Sequence, residues 1–186
     1  MDADFNLREC LERQLLFKSS NSNTIELVCN MARVKQVKAG NFLVLQGDWT
    51  SPLVLLFSGQ LRTCILTEDG REIVLHQLNA GDASGAVSII QGTQSAICIA
   101  AVKPSIVALI NRADARRLLS EPSVARELNA ILASLLQESV ANKTTPAAPR
   151  STASICAIIY AMFRGCRPRE ANRDPDARLN IVEALT

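Results

Sequence analysis

Regularly spaced glycines constrain the fold of this chain of 186 residues more than any other feature. They stand at positions 40, 47, 59, 70 and 81, so that successive gaps are 7, 12, 11 and 11 residues. Apolar runs rich in β-branched residues lie in these gaps, at 42–45, 53–57, 61–67 and 72–78. Short strands separated by turns at such intervals are typical of a β-sandwich or barrel, and they argue against βαβ units.

One turn in this region has a specific signal. Asp69-Gly70 separates the runs 61–67 and 71–78, and Asp-Gly is favoured in hairpins because both turn residues tolerate positive φ. Residues 95–102 and 106–110, broken at Lys103-Pro104, have the pattern of a further strand pair. We therefore expect a mainly β domain over residues 32–110 within an α+β chain.

Helical periods flank the β domain on both sides. Two short apolar stripes predict helices within residues 1–31, separated by a loop at 19–23, with Asn23 or Thr24 as the cap of the second helix. After Asn111 the period is helical over 113–119 and stops at Glu121-Pro122. Ser123 is then expected to cap a long helix over 124–143, so that residues 111–143 hold a short and a long helix.

The long helix carries a wide apolar face. Val124, Leu128, Ile131 and Leu135 follow each other at spacings of 4, 3 and 4 residues, and further leucines widen the face. Because the pattern is shorter than an autonomous coiled coil needs, the face could pack on the β domain, on a second copy of the chain, or on both. We favour a homodimer with these four residues at its interface.

Composition and motifs support neither a membrane protein nor an enzyme. No apolar run reaches the ~18 residues of a membrane span, and the polar N-terminus is no secretory signal. Six cysteines without a Cys-x-x-Cys pair favour reduced thiols in a cytoplasmic protein. Without a grouped nucleophile and base, a phosphate loop or paired carboxylates, we predict no enzyme, no metal and no cofactor. A net charge of +2 neither requires nor excludes nucleic acid.

Six short segments follow one another in a characteristic order. They are Val37-Lys-Ala-Gly40, Leu45-Gln-Gly-Asp48, Ser58-Gly-Gln-Leu-Arg62, Asp69-Gly-Arg-Glu72, Leu78-Asn-Ala-Gly-Asp82-Ala-Ser-Gly85 and Ser95-Ala96. Together they resemble the cyclic-nucleotide-binding domain of the Crp–Fnr family of bacterial transcription regulators. The resemblance implies a β-roll, or jelly roll, followed by a short helix and a long dimerisation helix. In that family a winged helix-turn-helix then binds DNA.

The segment after Gly81-Asp82 departs from the pattern of family members that bind cyclic nucleotides. Those members use a Gly-Glu pair, whose carboxylate accepts from the ribose hydroxyl, and an Arg before Ser/Thr-Ala, whose guanidinium pairs with the phosphate. Here Ala86 and Gln94 occupy the two charged positions, so we predict no binding of cAMP or cGMP at physiological levels. The remaining pocket is expected to be vestigial or to hold an uncharged small-molecule effector, and its residues are Gly85, Ala86, Val87, Ser88, Gln94 and Ser95.

The C-terminal residues 144–186 are expected to contain a hinge, an apolar helix over 154–163 and an arginine-rich linker. The apolar segment 178–186 resembles the start of a DNA-binding domain that has been truncated or lost. DNA would then be contacted only through a C-terminal domain that this chain does not contain.

Three hypotheses follow. The first is the sensor and dimerisation part of a Crp–Fnr-like transcription regulator. The second is a degenerate cyclic-nucleotide-binding fold that serves as a protein-interaction module without DNA binding. The third is a thiol or haem sensor. Cys166, beside Arg164 and Arg167, would be the reactive thiol. His76 would be the haem ligand. We expect His76 to be partly buried, on the same strand face as Val74 and Leu78.

Overall fold

The structure is a computed structural model that describes residues 6–67 and 70–141. Within these ranges the strands are β1 (Arg33–Val37), β2 (Phe42–Val44), β3 (Leu53–Ser58), β4 (Leu61–Leu66), β5 (Glu72–Leu78), β6 (Ala83–Ser84), β7 (Cys98–Ala101) and β8 (Ser105–Ile110). They form two antiparallel sheets, the first in the order β1-β8-β3-β6 and the second in the order β2-β7-β4-β5.

Helices cover one face of the first sheet. They are α1 (Leu7–Glu12), a 3₁₀ turn (Leu15–Phe17), α2 (Ser22–Met31), α3 (Ala86–Gln91), α4 (Arg112–Leu119) and α5 (Pro122–Ala141). The helix α3 follows β6 and precedes β7, whereas α4 and α5 follow the last strand. None of the helices in the described ranges combines the length and hydropathy that a bilayer span requires.

Two apolar cores lie on opposite faces of the first sheet. Leu55 belongs to the core between this sheet and the helices, and Leu56 belongs to the core between the two sheets. Both side chains are fully buried. Because successive residues of a strand point to opposite faces, β3 contributes to both cores at once.

The predicted fold class is confirmed, since an antiparallel β-roll with flanking helices is followed by a long helix. The predicted run 72–78 has the same bounds as β5. The strand β1 was not predicted, because most of its residues are exposed and Arg33 and Lys35 interrupt its apolar pattern. It is an edge strand that pairs only with β8.

The interpretation of 95–102 and 106–110 as a strand pair is wrong. The strand β7 lies between β2 and β4 in the second sheet, and β8 lies between β1 and β3 in the first. All four residues of β7 are buried, as are four of the six in β8. Each is therefore a central strand with two neighbours, and the Lys103-Pro104 connection passes from one sheet to the other.

Two of the predicted helix caps are also wrong. The side-chain oxygen of Asn21, rather than of Asn23 or Thr24, accepts a hydrogen bond from the backbone N–H of Thr24 at 2.8 Å. The helix α5 begins at Pro122, so Ser123 lies inside its first turn. Proline is favoured at the first helical position because its missing N–H would have no partner there.

Several predictions concern residues outside the described ranges. They are the hinge, the apolar helix and the start of a DNA-binding domain within 144–186, the thiol of Cys166, and Asp69 of the hairpin turn. The antiparallel pairing of β4 with β5 that the turn predicts is present.

Candidate functional site

The six predicted effector-pocket residues lie around α3 and the segment that follows it, which we call the cassette (residues 85–95). Gly85 precedes the helix, and Ala86, Val87 and Ser88 form its first turn. Thr93 lies after the end of α3 but contacts the helix, because its backbone N–H donates to the carbonyl of Ser88 at 3.1 Å. The cassette therefore connects β6 of the first sheet with β7 of the second.

Gly85 sets the direction in which α3 leaves the sheet. Its φ is +99°, a value that residues with a side chain rarely adopt. A Cβ at this position would lie 2.6 Å from the carbonyl oxygen of Pro52. Since β6 pairs with β3 one residue earlier, at Ser84 opposite Val54, only glycine lets the two backbones approach so closely.

The polar groups of the cassette are engaged within the protein. The hydroxyl of Ser88 donates to the carbonyl of Gly85 at 3.2 Å, and that of Ser95 donates to the carbonyl of Ile97 at 2.8 Å. The backbone of Ser95 bonds both residues of the Gly47-Asp48 turn, at 2.8 and 2.9 Å. The hydroxyl hydrogens of both serines are therefore used within the protein, and neither is free to bond a ligand in the observed geometry.

Neither of the two positions to which the resemblance assigns charged residues carries a charge. Ala86 is 8% exposed and has only a methyl group to offer. Gln94 is exposed and uncharged. At these two positions an anionic ligand would consequently meet neutral side chains, and neither supplies a guanidinium to pair with a phosphate.

Arg112, which the sequence analysis did not single out, attaches the cassette to α4. Its Nη2 donates to the carbonyl oxygens of Ser88 and Thr93, at 2.7 Å each. Its Nη1 is buried and has no hydrogen-bond partner among the described residues. An arginine at the start of a helix gives no sequence signal for this role, because the acceptors lie 24 and 19 residues away along the chain.

A surface cavity of about 590 Å³ lies on the other side of this arginine. It is lined by Arg112, Ala113, Arg116 and Arg117 of α4 and by Ser120, the residue that follows the helix. Its cationic lining favours anions. Of the predicted pocket residues, none contributes to it.

The four predicted interface residues of α5 have different surroundings. Val124 is fully buried and Leu128 is 7% exposed, both within the core under the helices. Ile131 packs against the same core and is partly buried. Leu135 is also partly buried. The apolar face therefore packs on its own domain in its first half, and the second half is more accessible. A role of the four residues in a dimer stays a prediction.

His76 does not have the surroundings that we predicted. Its side chain is exposed. The β4–β5 register shifts between Thr63 and Cys64, so that Cys64 faces Val74 and Thr63 faces His76. The register shift leaves Leu75 between the two pairs, so it interrupts the alternation by which the sequence placed Val74 and His76 on one face. In the described part of the chain, no group of three or more His, Cys, Asp or Glu residues could hold a metal ion.

Comparison with protein families matches residues 34–121 to the model described as "Cyclic nucleotide-binding domain". The matched range includes the whole cassette and ends just after α4. Comparison of the sequence with curated proteins finds no significant match.

Solved structures with the same fold include three regulators. The sensor domain of the transcriptional regulator DNR from Pseudomonas aeruginosa is 20% identical with a TM-score of 0.61, over 76% of this chain and 95% of that one. The Catabolite Activator Protein of Thermus thermophilus is 19% identical with a TM-score of 0.60, over 93% of this chain and all of that one. The regulatory subunit of a cAMP-independent protein kinase A from Trypanosoma brucei is 14% identical with a TM-score of 0.52, over 67% of this chain and 52% of that one.

Proposed function

We propose that this chain, whose residues 34–121 match the model of the cyclic nucleotide-binding domain, is the sensor and dimerisation part of a Crp–Fnr-like transcription regulator. The proposed effector is a small molecule other than cAMP or cGMP. A regulatory role, rather than a catalytic one, agrees with the sensor domain and the activator protein that have the same fold.

The chemistry of the cassette is the observation that carries this proposal. A charge-assisted hydrogen bond contributes about 1.5–3 kcal/mol. With Ala86 and Gln94 in the two charged positions, two such bonds to a cyclic nucleotide are missing, which corresponds to a loss of roughly two to four decades in affinity. A fold relative that is described as cAMP-independent is consistent with such a loss.

The buried serines narrow the kind of effector. Ser88 and Ser95 donate their hydroxyl hydrogens to backbone carbonyls, and Ala86 adds apolar surface. A site of this kind favours a neutral ligand that is held mainly by apolar contact and by backbone N–H groups.

The signal would reach the rest of the molecule through α4 and α5. Arg112 bonds the cassette to the start of α4, and α4 leads directly into α5. An effector that binds one arrangement of the cassette more tightly than another would change how the α5 helices of two copies pair. DNA-binding domains attached C-terminally would then move with them.

Calorimetric titration with cAMP and cGMP tests the ligand prediction. We expect no binding up to high micromolar concentration for the natural chain. The double variant Ala86→Glu with Gln94→Arg supplies both charges, and we expect it to bind cAMP at least tenfold more tightly. The double variant Gln36→Glu with Asn30→Arg is the matched control, because it adds the same two charges at exposed positions outside the cassette.

Micromolar binding of cAMP by the natural chain would contradict the proposal for the cassette. A thermal-shift screen of small metabolites tests whether the domain binds another effector, because a ligand that binds the folded state must raise its apparent stability. If no metabolite raises the melting temperature and the chain is monomeric, the protein-interaction module is the better explanation.

A further inference from the structure

Two buried thiols face each other on the outer side of the second sheet. Cys64 of β4 is in register with Cys98 of β7, and both side chains are fully buried and free. Leu61 of β4 and Ile99 of β7 belong to the core between the sheets. Because side chains alternate along each strand, Cys64 and Cys98 both point to the opposite side, away from that core.

The spacing of the strands suits a covalent link. Residues directly opposite each other in antiparallel strands have Cα atoms about 4.5–5.5 Å apart. Disulfides are found with Cα separations of about 4.4–6.8 Å. The two thiols are also close enough for Cys98 to influence the protonation of Cys64 electrostatically.

We propose that Cys64 and Cys98 are an oxidation site that forms a disulfide across β4 and β7. Nothing in this proposal depends on the function proposed for the cassette. It differs from the thiol sensor considered from the sequence, which concerned Cys166 alone.

An ion pair lies beside Cys64. Arg62 and Glu72 form a bidentate contact across β4 and β5, with Nε–Oε1 at 2.5 Å and Nη2–Oε2 at 3.0 Å. Burial, and next the hydrogen bond with the Glu72 carboxylate, raise the pKa of the Cys64 thiol to about 12. Burial first, and then the Glu72 carboxylate, therefore keep Cys64 protonated against the smaller opposing effect of Arg62, and they slow its oxidation, since the thiolate is the reactive form.

Hydrogen peroxide is a sufficient oxidant for the step. One thiol is oxidised to a sulfenic acid while the peroxide O–O bond breaks and one water is released. The sulfur of the second cysteine then attacks the sulfenic sulfur, so that the S–S bond forms and the hydroxyl leaves as a second water with the thiol proton. The two sulfurs lose two electrons in total, and the peroxide gains them.

The disulfide would also alter the backbone contacts between the Gln46-Gly47 segment and the cassette. The Sγ of Cys98 accepts a hydrogen bond from the backbone N–H of Gln46 at 3.2 Å, and the next residue, Gly47, donates to the carbonyl of Ser95 at 2.8 Å. Moving Sγ toward Cys64 disturbs the first of these bonds. This consequence for effector binding rests on the proposed function, whereas formation of the disulfide does not.

Peptide mapping of the full chain tests the site directly. The protein is treated with hydrogen peroxide under native conditions, the remaining thiols are alkylated, and the digest is analysed by mass spectrometry without reduction. We expect a linked peptide pair containing Cys64 and Cys98, lighter by two hydrogens than the two reduced peptides together and absent after reduction. If both cysteines are recovered only as alkylated thiols or as higher oxides, the proposal is wrong.

Two variants test the role of the ion pair. Glu72→Gln removes the carboxylate beside the thiol, and we expect the linked pair to form severalfold faster, because that carboxylate no longer disfavours the thiolate. Glu26→Gln, an exposed glutamate of α2, is the matched control and should leave the rate unchanged. An equal rate in Glu72→Gln and the natural chain would show that the ion pair does not protect the thiols.

Discussion

Single residues decide where the cassette begins. The sequence marks Gly85 as one of several glycines, but only the structure shows that its missing side chain faces the Pro52 carbonyl. Gly92, at the other end of α3, also has a positive φ, of +69°, yet a Cβ there would meet nothing within 4 Å. A side chain at Gly92 would therefore cost only the free energy of an unfavourable backbone conformation. At Gly85 it would add the cost of steric overlap with Pro52.

We expect Gly85→Ala to be the more damaging of the two substitutions. Alanine at positive φ costs about 1–2 kcal/mol at either site, and overpacking against Pro52 adds roughly 1–3 kcal/mol at Gly85. Urea unfolding followed by circular dichroism measures both variants under the same conditions. Equal losses of unfolding free energy for Gly85→Ala and Gly92→Ala would contradict the close approach.

Elements are joined in this fold by contacts that the sequence does not predict. The helical period over 113–119 predicts α4 (Arg112–Leu119) nearly to its bounds, and the structure adds the cap at Asn111. The same pattern does not reveal that Arg112 bonds the end of α3. A register shift likewise interrupts the alternation near His76, and the sequence of a strand does not indicate where its register shifts.

We expect Arg112→Met to weaken the attachment of α3 to α4. The substitution removes two hydrogen bonds from a charged donor to Ser88 and Thr93, and the expected loss of unfolding free energy is about 3–6 kcal/mol. Chemical denaturation measures it. Arg116→Met is the matched control on the same helix, since Arg116 is exposed, and its effect should stay within about 0.5 kcal/mol. Similar midpoints for the two variants would exclude an anchoring role.

At the scale of the whole molecule, the question is what covers the second half of α5. Val124 and Leu128 are already buried in their own domain, whereas Ile131 and Leu135 are partly buried. Leu136, next to them, is 51% exposed. A second copy of the helix is the partner that would cover these side chains symmetrically.

We expect Leu135→Glu to separate the proposed dimer without unfolding the domain. A charge in an apolar interface is costly to bury, while in a monomer the same side chain can turn to water. Light scattering coupled to size-exclusion chromatography measures the mass, and circular dichroism checks the fold. Ala133→Glu is the control, because Ala133 is exposed on another side of α5. A natural chain that is monomeric at high concentration would refute the interface.

The sequence by itself determined the β-roll, the helices around it and the neutral character of the cassette. These features depend on local signals, namely turn glycines, side-chain periodicity and the identity of Ala86 and Gln94. Only the tertiary structure decided that β7 and β8 belong to different sheets, that Arg112 anchors α3, and that Cys64 and Cys98 face each other. Such contacts join residues far apart in sequence, and their geometry depends on how the sheets pair and pack, which no local pattern specifies.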